Sequence, residues 1–269
     1  LYICYWYGQT DIIPVCLLIY ALFYLKQVNP KVSGLFLGVA ISAKLSMVVA
    51  LPFFMIYLWN NTKLRLFLSQ FLLFLMVSFF LLQLPYVFTD GFRIMIMENR
   101  EMGKLYSLSL MLTENLQIYI VPVVYAGILY SIWRLGRMNF DLLMASIGVG
   151  FFTILILTPS SVGWYLWIMP FLVLHQINSN LRSIALVAIF TFFFLGLVPV
   201  MSPGVALPFF NLDLTGLSGR INEFVPNRML SLWQTGLWAL GTILTWRLIR
   251  EGIGGNDFFR FTRKPFIRD

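Results

Sequence analysis

The hydrophobic positions of this chain form long runs separated by short polar stretches. A bilayer core needs about 20 apolar residues of helix, with a range near 17–25, and seven runs meet this length. The pattern therefore predicts an all-α fold, a polytopic transmembrane helical bundle of about seven full spans. The runs lie at 9–26, 66–86, 118–134, 140–158, 163–178, 183–201 and 229–247.

Segment 33–59, "SGLFLGVAISAKLSMVVALPFFMIYLW", is also apolar but carries Lys44 near its middle. One long helix would hold this ammonium near the bilayer centre, which is costly unless the ammonium finds a partner or water. Two short helices that meet near Lys44 would instead place it at a turn, in an aqueous or protein-lined cavity.

The distribution of basic residues favours the second alternative. If 33–59 crosses and returns, and the first residues lie outside, 13 of the 19 basic residues lie inside and Lys44 lies in the membrane. A single crossing would place seven basic residues on one side and 11 on the other, which removes the asymmetry that membrane proteins show. We therefore predict a re-entrant or kinked helical hairpin at 33–59. The five outer basic residues would be Arg93, Arg100, Lys104, Arg220 and Arg228.

Two outer segments follow from this topology, 87–117 and 202–228. Both are amphipathic mixtures, so we expect them to lie against the membrane surface. Residues 1–250 would form one transmembrane helical domain. The basic, aromatic stretch 251–269, "EGIGGNDFFRFTRKPFIRD", would be a cytoplasmic tail near anionic lipid.

Composition supports a membrane protein. Of 269 residues, 59% are hydrophobic and 11% are charged, with a mean hydropathy of +0.83, whereas soluble domains carry roughly 25% charged residues. The net charge of +8 fits cytoplasmic loops better than a nucleic-acid partner. Cys4, Cys16 and the single His175 have no metal-ligand spacing, so we predict no metal site and no cofactor and leave metal dependence open.

Polar groups collect at the outer face under this topology and predict a pocket that is cationic, hydroxyl-rich and walled by aromatic rings. Such a pocket suits a lipid-linked phosphate: cations neutralise the phosphate, rings stack on a sugar, and apolar helices hold a lipid tail. The candidate substrate-binding residues are Gln9, Lys44, Trp164, Tyr165, Arg220 and Arg228, with Asp11 as the candidate catalytic residue.

Each candidate also has a structural alternative. Trp164 is typical of an interfacial belt, and Arg220 and Arg228 fit solvated loop charges. Lys44 is a functional candidate by default, since an intramembrane lysine is costly, although a structural pair with Asp11 would also satisfy it. Asp11 itself fits a helix N-terminal charge favoured by the macrodipole.

The two segments "YGQTDIIPVCLLIYALFYLK" and "PKVSGLFLGVAISAKLSMVVALPFFMIYLW" resemble the polytopic GT-C glycosyltransferases that use polyprenyl-phosphate sugars. In that group a "GQ.D" at a helix start precedes an "AG..LG.A...K..P....P" pattern. The segment "SSVGWYLWIMPFLVL", 160–174, is similar to the "P.Y.LW..P" stretch of polyprenyl-phosphate mannosyltransferases, including GPI mannosyltransferase I and bacterial relatives. The positions that match the first two patterns are Gly8, Gln9, Asp11, Gly34, Gly38, Lys44 and Pro52.

The resemblance implies an inverting hexosyltransferase. Such an enzyme moves one sugar, such as mannose, from a polyprenyl-phosphate donor to a lipid-linked or glycan acceptor on the outer or luminal face. An acidic residue serves as base, and cations offset the charge of the phosphate leaving group. Lys44 with Arg220 or Arg228 fits the cationic role. The family's usual base would precede Leu1, which leaves Asp11 as base or as the residue that orients Lys44.

Two other function classes stay open. A lipid or small-molecule transporter or flippase would also use an interrupted hydrophobic segment with an intramembrane ion. A non-catalytic membrane subunit would hold a partner enzyme of a glycosylation complex, and a small membrane partner subunit is compatible with either role. For location we favour a bacterial inner membrane with a periplasm-facing site over an endoplasmic reticulum membrane with a lumen-facing site.

Overall fold

The computed structural model describes residues 10–96, 103–114, 116–159, 161–177, 180–201, 206–207, 212–213 and 227–254. Within these ranges the protein is mostly helical. Short 3-10 turns occur at Leu45–Ala50, Arg65–Phe67, Lys104–Tyr106 and Val162–Trp164. The α-helices, numbered in chain order, are α1 Ile12–Lys26, α2 Pro30–Ala43, α3 Leu51–Asn60, α4 Leu68–Gln83, α5 Asp90–Ile96, α6 Ile120–Arg134, α7 Phe140–Leu157, α8 Tyr165–Ile177, α9 Leu181–Met201 and α10 Asn227–Gly254.

Each of the seven apolar runs overlaps one of these helices, namely α1, α4 and α6 to α10; α9 begins two residues before its run, and α10 extends beyond both ends of its run. Two stretches in the described ranges, Arg65–Gln83 and Phe140–Leu157, are long and apolar enough to cross a membrane by length and composition. Other apolar helices, α1, α2, α6 and α8 among them, have 10–17 residues. The helix positions are thus confirmed, whereas seven crossings stay a prediction.

Two short antiparallel strand pairs, which the sequence prediction did not include, accompany the predominantly helical fold. Strand β1, Ser109–Thr113, pairs with β2, Leu116–Tyr119, and β3, Ala206–Leu207, pairs with β4, Leu212–Asp213. Around β1 the sequence "SLSLMLT" places a polar residue at every second position at its start, a period typical of a strand. The alternation covers only a few residues of the mixed segment 87–117, so the composition of the whole segment does not indicate a strand.

The chain reverses direction at Lys44, where the backbone is extended with φ −155° and ψ 114°. Lys44 lies beside Asp11, which precedes α1. At the far end of α3 the ring centroids of Tyr57 and Phe140 are 6.4 Å apart, and Lys26 Nζ lies 5.5 Å from the centroid of the same Phe140 ring. Helix α3 therefore returns from the end of the bundle marked by Asp11 (the Asp11 end) to the end marked by Lys26 (the Lys26 end). The predicted break at Lys44 is present: α2 ends at Ala43, and the 3-10 segment Leu45–Ala50 leads into α3.

Helix α2 approaches α4 closely because glycines face it. A Cβ added at Gly34 would lie 2.3 Å from the Phe71 backbone oxygen, and one at Gly38 would lie 2.4 Å from that of Leu75. Two small residues four positions apart lie on one helix face and let two backbones approach each other. Ser78 Oγ adds a 3.2 Å hydrogen bond from α4 to an α2 carbonyl. The order of these contacts along both helices shows that α2 and α4 run in the same direction.

Helix α7 is the centre of the bundle, and nearly all its residues are buried. Gly252, near the end of α10, lies against Ala145 near the start of α7, and Gly241 lies against Ile156 near its end. Helix α10 is therefore antiparallel to α7. Helix α8 packs in the same antiparallel sense, since Gly148 contacts Phe171 whereas Phe151, further along α7, contacts Trp167, which lies earlier in α8.

The surface of the bundle is apolar on several helices. In contrast to the buried α7, only 17% of the residues in the apolar window of Arg65–Gln83 are buried. Large side chains at least one third exposed occur on α4 and α6 alike, and include Leu73, Met76, Val77, Phe80, Leu81, Val123, Tyr130 and Trp133.

We expect Gly34→Ala to destabilise the protein by about 1–3 kcal/mol, the usual cost of overpacking, because its methyl group would meet the α4 backbone. The matched control is Gly127→Ala on α6, where an added Cβ meets nothing within 4 Å; it should gain up to about 1 kcal/mol from helix propensity. Thermal unfolding in detergent micelles measures both. Equal midpoints for the two variants would contradict the close approach of α2 to α4.

Candidate functional site

Asp11 is buried at the N-terminus of α1. The residue is 3% exposed, and although it occupies the N-cap position, its side chain makes no capping hydrogen bond. An ionised carboxylate in such a place is costly unless it is paired and hydrogen-bonded. The position therefore requires a counter-charge from elsewhere in the fold.

Lys44 supplies that charge. Its Nζ donates a hydrogen bond to Asp11 Oδ1 and forms an ion pair with it. Asp11 stands at a helix N-terminus, and Lys44 stands at the C-cap of α2. Helix macrodipoles favour negative charge at the first position and positive charge at the second, so the pair agrees with both helix ends.

Trp167, in the first turn of α8, donates the second hydrogen bond to the carboxylate. Its indole Nε1 donates to Asp11 Oδ2 at 3.2 Å, so each carboxylate oxygen has a donor. The Lys44 ammonium also lies 5.2 Å from the centroid of the Trp167 ring, within cation–π range. Trp167 therefore contacts both members of the ion pair.

Trp164 and Lys104 extend this arrangement. The rings of Trp164 and Trp167 stack with centroids 4.8 Å apart and planes 18° apart, and Lys104 Nζ lies 5.8 Å from the Trp164 ring centroid. Lys104 belongs to the segment between α5 and β1. We call Asp11, Lys44, Trp164, Trp167 and Lys104 the Asp11 cluster.

At the Asp11 end of the bundle, Lys44 has the exposure and the spare donors that an anion-binding site would require. The Lys44 side chain is 32% exposed, against 4% for that of Asp11. An ammonium has three N–H donors, so Lys44 can keep its bond to Asp11 and still donate to a phosphate oxygen. Lys104 adds a second positive charge next to the stacked indoles.

Tyr165 lies next to this cluster in the sequence but packs against α9. Its hydroxyl shares a 2.6 Å hydrogen bond with the hydroxyl of Thr191, and its ring stacks on Phe194 with centroids 4.6 Å apart. Trp164 is thus linked to Lys44 by Trp167, which contacts both of them, whereas Tyr165 packs against a different helix.

The remaining predicted residues are placed as follows. Arg228 is exposed in the first turn of α10. Gln9 and Arg220 lie outside the described residues, as do most of segment 202–228 and the tail beyond Gly254. Trp164 is only 4% exposed, with Trp167 and Lys104 against its ring, so a sugar could stack on it only after a rearrangement.

Two contributions to the site were not predicted from sequence. Trp167 lies within the segment 160–174 that carries the resemblance, but its hydrogen bond to Asp11 depends on the packing of α8 against α1, which has no local sequence signal. Lys104 was predicted only to be one of the five outer basic residues, with no role in the site. In the described ranges no group of three or more His, Cys, Asp or Glu side chains could hold a metal ion.

Comparisons with protein-family models, with curated proteins and with solved structures found no match. The function of the Asp11 cluster is therefore inferred from its own geometry and from the resemblance described above.

We expect Lys44→Met to destabilise the protein by about 3 kcal/mol, the lower part of the range for breaking a buried ion pair, because it leaves the Asp11 carboxylate without its counter-charge. The double variant Asp11→Asn/Lys44→Met removes both charges and keeps an amide oxygen that can accept from Trp167. It should recover most of that loss. Thermal unfolding of the two variants in the same detergent gives the comparison.

A Lys44→Met variant that melts with the wild type would show that the ion pair contributes nothing to folding. A double variant that is no more stable than Lys44→Met would show that the unpaired Asp11 carboxylate is not the cause of the lost stability.

Proposed function

We propose that this protein is an integral-membrane glycosyltransferase that moves a single hexose from a polyprenyl-phosphate donor to an acceptor at the Asp11 end of the bundle. The observation that supports this most directly is Lys44. It is a partly exposed cation, held by Asp11 and Trp167, at the end of an apolar helical bundle.

The apolar outer surface supports a membrane location. Exposed large hydrophobic side chains run along α4 and α6, and contiguous apolar surface of this kind marks a membrane or protein interaction site. A polyprenyl tail needs such a surface, while its phosphate needs a cation at the boundary with water. The proximity of both on one molecule favours a lipid-phosphate substrate.

Lys44 would bind the phosphate of the donor and offset the negative charge that grows on it as the sugar departs. Asp11 would hold Lys44 in place. Since both Asp11 oxygens already accept hydrogen bonds and the side chain is 4% exposed, we propose an orienting role for it and not that of general base.

The orientation in the membrane follows the basic residues. Lys26, Arg134 and Arg247 lie at the Lys26 end, with Lys31, Lys63, Arg65, Arg137, Arg182 and Arg250 in the same turns or adjoining helix ends. We propose that this end faces the cytoplasm, by the positive-inside rule. The Asp11 cluster would then face the periplasm of a bacterial inner membrane, or the lumen if the membrane is that of the endoplasmic reticulum.

Transfer of radiolabelled sugar from a panel of polyprenyl-phosphate sugars tests the function, with full-length protein in lipid nanodiscs. Wild type should transfer from at least one donor. The double variant Asp11→Asn/Lys44→Met should lower kcat/KM at least tenfold while remaining folded, because the phosphate loses its cation. Lys26→Met is the matched control: this lysine also lies over an aromatic ring, 5.5 Å from the Phe140 centroid, but at the opposite end, and should keep wild-type transfer.

Unchanged transfer in the double variant would return Lys44 to a structural role and move the active site elsewhere. Absence of transfer by wild type from every donor would reject the enzyme and favour the transporter or the non-catalytic subunit.

Cysteine labelling tests the orientation. In a background with Cys4 and Cys16 replaced by serine, we expect Ser107→Cys, which lies next to Lys104, to react with a membrane-impermeant maleimide on intact bacterial cells. Lys63→Cys, between α3 and α4, should react only after the cells are lysed. The reverse pattern would place the Asp11 cluster in the cytoplasm.

A further inference from the structure

We propose that Trp167 is a positioning residue that holds the Lys44 ammonium in the direction of the donor phosphate. This rests on the proposed function and assigns a role in that site to a residue the sequence did not single out. The observation behind it is that one indole contacts both the carboxylate and the ammonium of the ion pair.

The first contact fixes the carboxylate. Trp167 Nε1 donates to Asp11 Oδ2 at 3.2 Å, and Lys44 binds the other oxygen. Because Oδ2 accepts from the indole, the carboxylate is held with Oδ1 towards the lysine. Lys44 is thereby limited to one oxygen and keeps N–H donors for a second acceptor.

The second contact places the ammonium against the Trp167 ring, 5.2 Å from its centroid. Lysine has a flexible four-carbon stem, so a single hydrogen bond does not define where its ammonium lies. Ring and carboxylate together restrict it from two directions.

Trp167 is itself held rigidly. It is 1% exposed, stacks on Trp164 and meets the ring of Phe151 edge-on with centroids 5.7 Å apart. A side chain held in this way can position a neighbour, and little conformational entropy is lost when a ligand binds.

The experiment measures binding of polyprenyl phosphate and of polyprenol, which lacks the phosphate, to full-length protein in phosphatidylcholine nanodiscs. The ratio of the two affinities reports the phosphate contact alone. Trp167→Phe keeps an aromatic ring beside Lys44 and removes the N–H donor. Trp233→Phe is the matched control, since Trp233 Nε1 donates to the Phe193 carbonyl at 2.7 Å, away from the cluster.

Trp167→Phe should reduce the ratio about tenfold, the net free energy of one hydrogen bond, because the Lys44 ammonium is no longer directed at the phosphate. Polyprenol binding should stay unchanged. Trp233→Phe should keep the wild-type ratio even if it lowers the melting temperature equally. A wild-type ratio in Trp167→Phe, or an equal reduction in Trp233→Phe, would overturn the positioning role and leave the proposed function intact. A wild-type protein that binds both lipids equally would overturn the positioning role and the proposed function together.

Discussion

The buried carboxylate of Asp11 is the constraint on which the arrangement of the helices around it depends. A charge that is 3% exposed in so apolar a chain must be neutralised, and the partner has to arrive from another helix. Lys44 reaches it because α2 ends beside the start of α1, so the break after α2 lies at the same point as the ion pair. Trp167 ties the start of α8 to the same point. Three helix ends thus meet around one side chain.

The glycines of α2 have a separate physical explanation. Gly34 and Gly38 both match the GT-C-like pattern, yet each is required by the close approach of the α4 backbone. Part of the matched pattern is therefore explained by the packing of α2, whereas Asp11 and Lys44 in the same pattern form a charged site. The two requirements lie on the same short helix: its glycines set the distance to α4, and its last residue carries the ammonium.

The helix positions and the break at Lys44 could be predicted because each depends on a local property, an apolar run or a charge within one. The site could be predicted only in part. Trp164 and Trp167 are three residues apart and meet, whereas Tyr165 packs on α9, and that division depends on how α8 is rotated about its axis. The β1–β2 hairpin was missed because its alternation covers only a few residues within a mixed segment. Lys104 gave no signal, since its place over Trp164 depends on the tertiary packing of the short 3-10 turn Lys104–Tyr106.

The sequence separations in the Asp11 cluster bear on how the chain is inserted during synthesis. Asp11 and Lys44 are 33 residues apart, and Trp167 follows Asp11 by 156. The carboxylate lacks its counter-ion until α2 has emerged, so in the membrane location that we propose, α1 and α2 would insert most cheaply as one neutralised pair. The indole reaches them only after α3 to α7 have been made. The ion pair can therefore form early in assembly, whereas the contacts that Trp167 makes with it form only later.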